Sequence, residues 1–142
     1  MRTGEKGKFG EALVLTELIR RGFKVSIPFG NYRYDFLVEE DGHYNRIQVK
    51  YVGELTRKST ITVVLHSISR KGRLKYSLNE IDFIVVFFKP KNSFYIIPYK
   101  DVVGKSAINL RVETVRNGQT SGIIPSSKYE NRWDLLSRQD PD

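Results

Sequence analysis

Three polar side chains, Asp35, Gln48 and Lys50, lie on two segments that flank the dipeptide Asp41-Gly42. An Asp-Gly pair between two such segments predicts a tight β-hairpin, because the favoured two-residue turn needs positive φ at both positions. Pairing outward from this turn places Asp35 opposite Gln48, and Lys50 shares their face because side chains alternate along a strand. Facing and diagonal side chains lie about 5–8 Å apart at Cβ. The sequence therefore predicts that the three side chains form one cluster.

This cluster contains the groups that hydrolysis of a phosphodiester needs. Mg²⁺ prefers oxygen ligands and keeps several waters, so one or two carboxylates are enough to bind it. Asp35 offers a carboxylate, Gln48 an amide oxygen and Val49 its main-chain carbonyl. The ammonium group of Lys50 would lie beside the attacking water or the scissile phosphate. There it can help to remove a proton or balance the negative charge of the transition state.

Glu11 adds a second carboxylate from a predicted helix. At about 100° per residue, its side chain shares an arc with Leu15, Leu18 and Ile19. A carboxylate within an apolar arc is costly unless its charge is compensated. A metal ion or a nearby lysine would compensate it, so we expect Glu11 to join the cluster.

Each of these residues also has a plainer interpretation. Glu11 could pair with Lys8 on its own helix, Asp35 could simply begin a strand, and residues 48–50 could form a solvated strand face. Any single feature favours that plainer interpretation, whereas four features with matching geometry favour a catalytic centre.

The elements that position the cluster follow from periodicity and turn signals. Thr3 to Arg21 predicts a helix, with Thr3 as N-cap and Gly22 as the residue that ends it. Ile81 to Phe88 is nearly all apolar, which is typical of a strand buried on both faces. The other predicted strands are Phe23–Ile27, Tyr34–Glu40, His43–Val52, Thr60–His66, Ser93–Ile97 and Ile108–Val112. Short helical segments are predicted at Leu78–Asp82 and Pro98–Gly104.

This order of elements predicts an α/β fold with a central mixed β-sheet flanked by helices. The 142 residues are the size of one ordinary domain, so we expect a single domain over residues 1–142. Residues 105–142 are expected to be less regular, with Trp133 and Leu135-Leu136 attaching them to the body.

The composition limits the class of protein. There are 24 Lys and Arg against 16 Asp and Glu, a net charge of +8, which favours a polyanionic partner such as nucleic acid. Cysteine is absent, which excludes disulfides and thiolate metal sites. No apolar run resembles a signal peptide or a membrane span, so we expect a cytoplasmic protein with no membrane partner.

Basic residues cluster in the segment Ser67 to Ser77, which is predicted to be a loop that contacts the DNA backbone. The alternative is a solvated basic loop with no partner. Arg33, predicted to lie opposite Lys50, is expected to contact the phosphate near the cut. The full set of predicted DNA-binding residues is Arg33, Arg57, Lys58, Arg70, Lys71, Arg73 and Lys75.

The pattern of these residues resembles the PD-(D/E)XK nuclease superfamily. The residues that carry the resemblance are Gly10-Glu11, Tyr34-Asp35-Phe36 and Ile47-Gln48-Val49-Lys50. The chain looks most like the group I intron-associated homing endonucleases of that superfamily. It departs from the usual motif at Gln48, where Glu or Asp is common, and at Tyr34, which stands in place of Pro.

The resemblance implies a restriction-endonuclease-like fold and a Mg²⁺-dependent endonuclease that acts on double-stranded DNA, with Mn²⁺ able to substitute. Asp35 would be the principal metal ligand, Glu11 a further acidic ligand and Lys50 the catalytic lysine. One chain offers one active site, so a double-strand cut implies a homodimer or a homotetramer.

Two alternatives share these sequence features. The first is a Holliday-junction resolvase or DNA-repair nuclease of the same superfamily, which would have the same site and a different substrate shape. The second is a DNA-binding protein whose nuclease site is degenerate because of Gln48.

Overall fold

The computed structural model describes residues 1–113 and 122–137 of the chain. Part of the segment 105–142, predicted to be less regular, lies outside the described residues. One α-helix, α1, spans Thr3–Arg20. The strands are β1 (Lys24–Ser26), β2 (Phe36–Glu40), β3 (His43–Val52), β4 (Thr60–Val64), β5 (His66–Ser69), β6 (Gly72–Lys75), β7 (Phe83–Phe88), β8 (Ser93–Pro98), β9 (Ala107–Arg111) and β10 (Ile124–Pro125).

The hairpin of β2 and β3 confirms the predicted turn and its register. Asp41 and Gly42 have φ angles of 50° and 77°, as a two-residue turn with positive φ at both positions requires. The paired residues run from Glu40 with His43 to Phe36 with Ile47. Because β2 has five residues and β3 has ten, β3 continues beyond the end of its partner.

The central sheet has five strands in the order β1-β2-β3-β7-β8. Strands β3 and β7 are parallel, and the other neighbouring pairs are antiparallel. The predicted mixed sheet is therefore confirmed. Strand β7 is buried at all six positions, as its uninterrupted apolar sequence predicts.

Two hydrophobic cores cover the two faces of this sheet. Val14 and Leu18 of α1 pack on one face against residues of β2 and β3, among them Val38 and Ile47. On the other face, β4, β9 and β10 form a three-stranded sheet, whose inward residues pack against β7 and β8. The expectation of helices flanking the sheet is therefore wrong for this second face in the described residues. The β-branched residues of β4 build an alternating apolar face, as a strand does and a helix does not.

The segment after β4 also differs from expectation. Residues 67–77 were predicted to be a loop, but β5 and β6 form an antiparallel hairpin with Arg70 and Lys71 at its tip. The hairpin has no buried position on either strand, and Ile68 is 83% exposed. Because the period-2 signal of a strand arises from burial of one face, a hairpin without a buried face gives no such signal.

The ends of the helical segments agree in part with the sequence. Gly22, with φ of 89°, follows the end of α1 as predicted, whereas Arg2 and not Thr3 precedes the first helical residue. The predicted short helix after Pro98 is a single 3₁₀ turn, Tyr99–Asp101. Trp133 is 3% exposed within another 3₁₀ turn and packs into the α1 core, so it attaches the C-terminal part to the body.

No helix in residues 1–113 and 122–137 has the length and apolar character needed to cross a membrane.

Arg46 and Asp82 hold the start of the parallel pairing between β3 and β7. Asp82 Oδ2 accepts hydrogen bonds from the Arg46 amide at 2.7 Å and from Arg46 Nε at 3.0 Å. The guanidinium group also donates to the carbonyl oxygens of Leu78 (2.8 Å) and Asn79. Parallel strands lack a connecting turn that sets their register, so these bonds align β7 with β3.

Replacing Asp82 by Ala should therefore lower the free energy of unfolding by about 1–3 kcal/mol, since it leaves partly buried donors without an acceptor. Urea unfolding followed by circular dichroism measures this change. A matched control is Asp134→Ala, which removes a surface ion pair with Arg132 whose side chains are 60% and 44% exposed. The control should cost no more than about 1 kcal/mol, and equal losses in both variants would contradict the role given to Asp82.

Candidate active site

The site lies where β3 continues beyond β2. Asp35 directly precedes β2, and its amide donates to the Ile47 carbonyl at 2.7 Å. Its carboxylate turns along the edge of β3, where Oδ2 accepts a hydrogen bond from the Val49 amide at 2.8 Å. Asp35 is therefore held to β3 by its own backbone and by its side chain.

The main-chain carbonyl of Val49 faces the same open edge. The N–H and C=O groups of one residue in a strand point to the same side, and the Val49 N–H points toward Asp35. Strand β2 begins at Phe36, which pairs with Ile47. It therefore supplies no paired residue opposite Val49. The side-chain amide of Gln48 reaches the same edge, with Nε2 3.4 Å from the Val49 oxygen.

Glu11 reaches this edge because α1 packs closely on β3 at Gly10. A Cβ atom at Gly10 would lie 3.4 Å from Tyr51 Cβ and 3.8 Å from Val49 Cγ1. Glycine disfavours a helix interior by about 1 kcal/mol relative to alanine, and here it permits the close approach. The plainer interpretation of Glu11 is also present, since its carboxylate lies 3.5 Å from the Nζ atom of Lys8, which is 84% exposed. An exposed pair of this kind is weak.

The Asp35 carboxyl group carries the strongest electrostatic signature of the site. Its pKa is raised from 3.8 to about 7, mainly by burial and additionally by the charge of Glu11 and a hydrogen bond with it. The Val49 amide and the positive charge of Lys50 act in the opposite direction and lower this pKa. Two neighbouring carboxyl groups in a half-buried position repel each other when both are ionised.

Lys50 approaches from the face of the sheet opposite α1. Its Nζ donates a hydrogen bond of 2.8 Å to the hydroxyl of Tyr76, which is 6% exposed. Val49 packs into the α1 core, and Tyr76 belongs to the core on the other side. The site therefore surrounds the edge of β3, with Glu11 on one side and Lys50 on the other.

This arrangement corrects one detail of the sequence prediction. Asp35 was expected to face Gln48 and to share its side of the hairpin, but the register of β2 and β3 ends at Phe36 with Ile47. Asp35 instead lies in line with the sheet and bonds to the backbone of Val49. The structure brings the four predicted residues together, because Glu11 and Lys50 both act on the pKa of Asp35 and Gln48 reaches the same edge. Their roles stay a prediction.

The donor set of this site fits a hard divalent cation. Two adjacent carboxylates gain from a cation between them, because it offsets the repulsion of their charges. The Val49 carbonyl and the Gln48 amide add neutral oxygen atoms, which magnesium accepts as ligands. No three Asp, Glu, His or Cys side chains among residues 1–113 and 122–137 come together as a metal site.

Arg33 does not lie free beside the site as predicted. One terminal nitrogen donates to the Lys75 carbonyl at 2.6 Å and to Glu80 Oε1 at 3.1 Å. The other donates to Ser67 Oγ and the Leu74 carbonyl, both at 2.8 Å. With its side chain 18% exposed, Arg33 attaches the β5–β6 hairpin to the body, and these bonds occupy the donors that a phosphate contact would need.

The other predicted DNA-binding residues are exposed. Arg57 and Lys58 lie on the segment between β3 and β4, and Arg70, Lys71 and Arg73 lie on the β5–β6 hairpin. Lys75 is exposed too, but its Nζ donates to the Gly104 carbonyl at 2.8 Å. Five of the seven predicted residues are thus exposed to solvent, namely Arg57, Lys58, Arg70, Lys71 and Arg73.

Tyr76 is the residue at the site that sequence reasoning did not assign. It follows a polar, basic segment, where a single aromatic residue has no periodic partner. Its contact with Lys50 joins residues 26 positions apart, so only the packing of the hairpin onto the sheet brings them together.

Comparisons with known proteins agree with this geometry. The chain is similar to the solved structure of a bacterial homing endonuclease, I-Ssp6803I, with a TM-score of 0.78 and 20% sequence identity. The match covers 96% of this chain and 93% of that one, and it confirms the restriction-endonuclease-like fold that the sequence predicted. No curated protein sequence matches the chain. The family model described as PD-(D/E)XK endonuclease matches residues 1–132, and the chain therefore belongs to the PD-(D/E)XK endonuclease family.

Proposed function

We propose that this protein is a Mg²⁺-dependent endonuclease that hydrolyses phosphodiester bonds of double-stranded DNA, as a homing endonuclease does. The observation that carries the proposal is the meeting of Glu11, Asp35 and Lys50 around the open edge of β3. Family membership supports the endonuclease activity, and the similarity to a structure of a bacterial homing endonuclease supports the homing type.

Asp35, Glu11, Gln48 and the Val49 carbonyl would hold the magnesium ion, and manganese would be accepted in its place because both are oxygen-seeking cations. When bound, the ion supplies positive charge to the scissile phosphate and favours deprotonation of the attacking water. The protein contributes a fixed position for the carboxylates, since the Val49 amide holds Asp35 at 2.8 Å.

Lys50 has a distinct role in this scheme. Its ammonium group would stabilise the negative charge that develops on the phosphate oxygens. Alternatively, Lys50 would take part in the proton transfer from the attacking water. Burial on the Tyr76 side keeps part of the bulk solvent away from it, which strengthens its electrostatic effect. We therefore assign Lys50 to the chemical step and not to DNA affinity.

The basic residues on the short connections would contact the DNA backbone. Arg70 and Lys71 form the tip of the β5–β6 hairpin and are exposed, so they can reach a polyanion without breaking bonds within the protein. Arg57, Lys58 and Arg73 would extend this surface, and the net charge of +8 adds a general attraction. Because Arg33 and Lys75 already bond to the protein, we give them a supporting role.

A double-strand cut requires two such sites. The strands of a duplex are antiparallel, so two copies related by a two-fold axis would present one site to each strand. We propose a homodimer or a homotetramer on this ground.

Lys50→Ala tests the catalytic assignment. Cleavage of a supercoiled plasmid containing the target should fall by at least about 100-fold, because the variant removes a charge used in the transition state. DNA affinity, measured by fluorescence anisotropy, should change by less than about twofold. Lys24→Ala, on the exposed edge strand β1, is the matched control and should cleave as the wild type does.

The same assay separates the competing functions. EDTA should stop the wild-type reaction, and Mg²⁺ or Mn²⁺ should restore it. Duplex binding without any nicking in either metal would indicate a degenerate, binding-only protein. A strong preference for four-way junctions over linear duplex would indicate a junction resolvase.

The raised pKa of Asp35 predicts a pH-dependent response to magnesium. Between the ordinary value of 3.8 and about 7, the folded protein holds a proton that the unfolded chain releases. Metal-free protein should therefore lose stability as the pH rises through this window. Magnesium should raise Tm more at about pH 8 than at about pH 5.5, because it compensates the ionised pair. Differential scanning fluorimetry measures both effects.

Two variants control this experiment. Asp35→Asn removes the titrating group, so the magnesium shift at the higher pH should disappear. Gln48→Glu adds an acidic ligand and should enlarge that shift. An equal magnesium shift in wild type and in Asp35→Asn would mean that the ion binds elsewhere.

Removing the charges at the hairpin tip should weaken DNA binding without affecting the chemical step. For the double variant Arg70→Ala, Lys71→Ala, the slope of log affinity against log salt should fall by about 1 to 2, because two phosphate contacts are lost. The kcat at saturating DNA should remain within about twofold of wild type. The control is Lys89→Ala, an exposed lysine after β7. An unchanged salt slope in the double variant would place the DNA on another surface.

A further inference from the structure

We propose that Tyr76 is a positioning residue for catalysis, whose hydroxyl group holds the ammonium of Lys50 at the site. This proposal deepens the proposed function and rests on it, because it assigns a role to a residue that touches Lys50 and not the DNA. The hydroxyl oxygen lies 2.8 Å from Lys50 Nζ, which is an ordinary charged hydrogen bond.

A lysine side chain needs such a partner to act at one place. It has four rotatable carbon–carbon bonds and loses considerable freedom when it is fixed. The Lys50 ammonium lies 5.0 Å from the centre of the Tyr76 ring, at the hydroxyl end and not over the ring face, as its 2.8 Å bond to the hydroxyl requires. The hydroxyl is therefore the group of Tyr76 that restrains the ammonium.

Tyr76 is itself fixed from several directions. The guanidinium carbon of Arg33 lies 4.1 Å from the centre of the ring. The hydroxyl of Tyr99 donates to the Tyr76 carbonyl at 2.6 Å, and the two rings pack edge to face with centres 6.4 Å apart. With 6% of its surface exposed, Tyr76 has little freedom to move, so its hydroxyl is a rigid point of attachment.

The position of Tyr76 in the chain adds to this argument. It directly follows β6, the second strand of the hairpin that carries the proposed DNA-contacting residues. Arg33 bonds to the carbonyls of Leu74 and Lys75 on that strand while stacking on Tyr76. Movement of the hairpin on DNA would thus be transmitted to the attachment point of Lys50.

The alternative is that Lys50 merely provides a partner for a buried tyrosine hydroxyl. The two interpretations differ in what loss of the hydroxyl does. A structural hydroxyl affects stability, whereas a positioning hydroxyl affects kcat and leaves DNA binding unchanged.

The test is Tyr76→Phe, which keeps the ring, its burial and its stacking on Arg33. We expect kcat for plasmid cleavage to fall about tenfold, because a displaced catalytic group loses alignment, while the KM for DNA and Tm stay near wild type. Tyr129→Phe is the matched control, since it removes another buried hydroxyl, whose hydrogen bond goes to Asp101 Oδ2 at 3.0 Å and not to Lys50 or Tyr76. It should lower Tm and leave kcat within about twofold.

The outcomes separate this proposal from the proposed function. If Tyr76→Phe cleaves at the wild-type rate while Lys50→Ala is inactive, the positioning role is overturned and the nuclease assignment stands. If Tyr76→Phe lowers Tm and kcat in the same proportion as Tyr129→Phe, the hydroxyl is structural and the proposal also fails.

A second measurement does not depend on cleavage. The lysine ammonium groups of metal-free protein can be observed by ¹H–¹⁵N NMR, with the Lys50 signal assigned from Lys50→Ala. A slowly exchanging Lys50 signal that is lost in Tyr76→Phe and kept in Tyr129→Phe supports the proposal even if no DNA substrate is cleaved. A Lys50 signal that is the same in all three proteins overturns it.

Discussion

The unequal length of two paired strands is the constraint on which the site depends. Strand β3 has ten residues and β2 has five, so one edge of β3 beyond Ile47 is left without a neighbouring strand. The other edge stays covered by β7, which pairs with β3 up to Val52. Pairing with β7 keeps the backbone of β3 rigid. On the other side, its N–H and C=O groups beyond Ile47 have no strand partner and are open to side chains. Asp35, Gln48 and the Val49 carbonyl all use that side.

The protein places a charge on this edge that its fold alone does not compensate. Burial and, to a smaller extent, the nearby Glu11 raise the pKa of Asp35 to about 7, and Lys50 lowers that pKa but does not reverse the increase. A group with such a perturbed pKa in a half-buried position is typical of functional sites. The unfavourable interaction lies at a point where β3 and α1 are well packed, so the surrounding structure can tolerate it.

Sequence reasoning predicted the site best where one physical rule was sufficient. The Asp41-Gly42 turn determined the register of β2 and β3, and the helical arc placed Glu11 beside the sheet. Reasoning failed where tertiary contacts decide the outcome. Arg33 was expected to be free because the pairing register says nothing about a hairpin packed from 34 to 42 residues away. Tyr76 was not assigned for the same reason.

The β5–β6 hairpin and the second sheet show a further limit of pattern reading. Alternation along a strand is informative only when one face is buried, and β5 and β6 bury neither. The face of the central sheet opposite α1 was expected to carry helices, since strands covered on both faces usually occur with helices on both sides. Here a second layer of strands provides the same burial, and the apolar sequence of β7 is identical in either case.

The amide of Val49 has an acceptor that is unusual for the middle of a sheet. Its proton bonds to a carboxylate and not to a backbone carbonyl, so its electronic surroundings change whenever that carboxylate gains or loses charge. The chemical shift of this one backbone proton should therefore record occupancy of the site directly. The chain in this way contains its own spectroscopic probe, present in the unmodified protein and placed within one hydrogen bond of the Asp35 carboxylate.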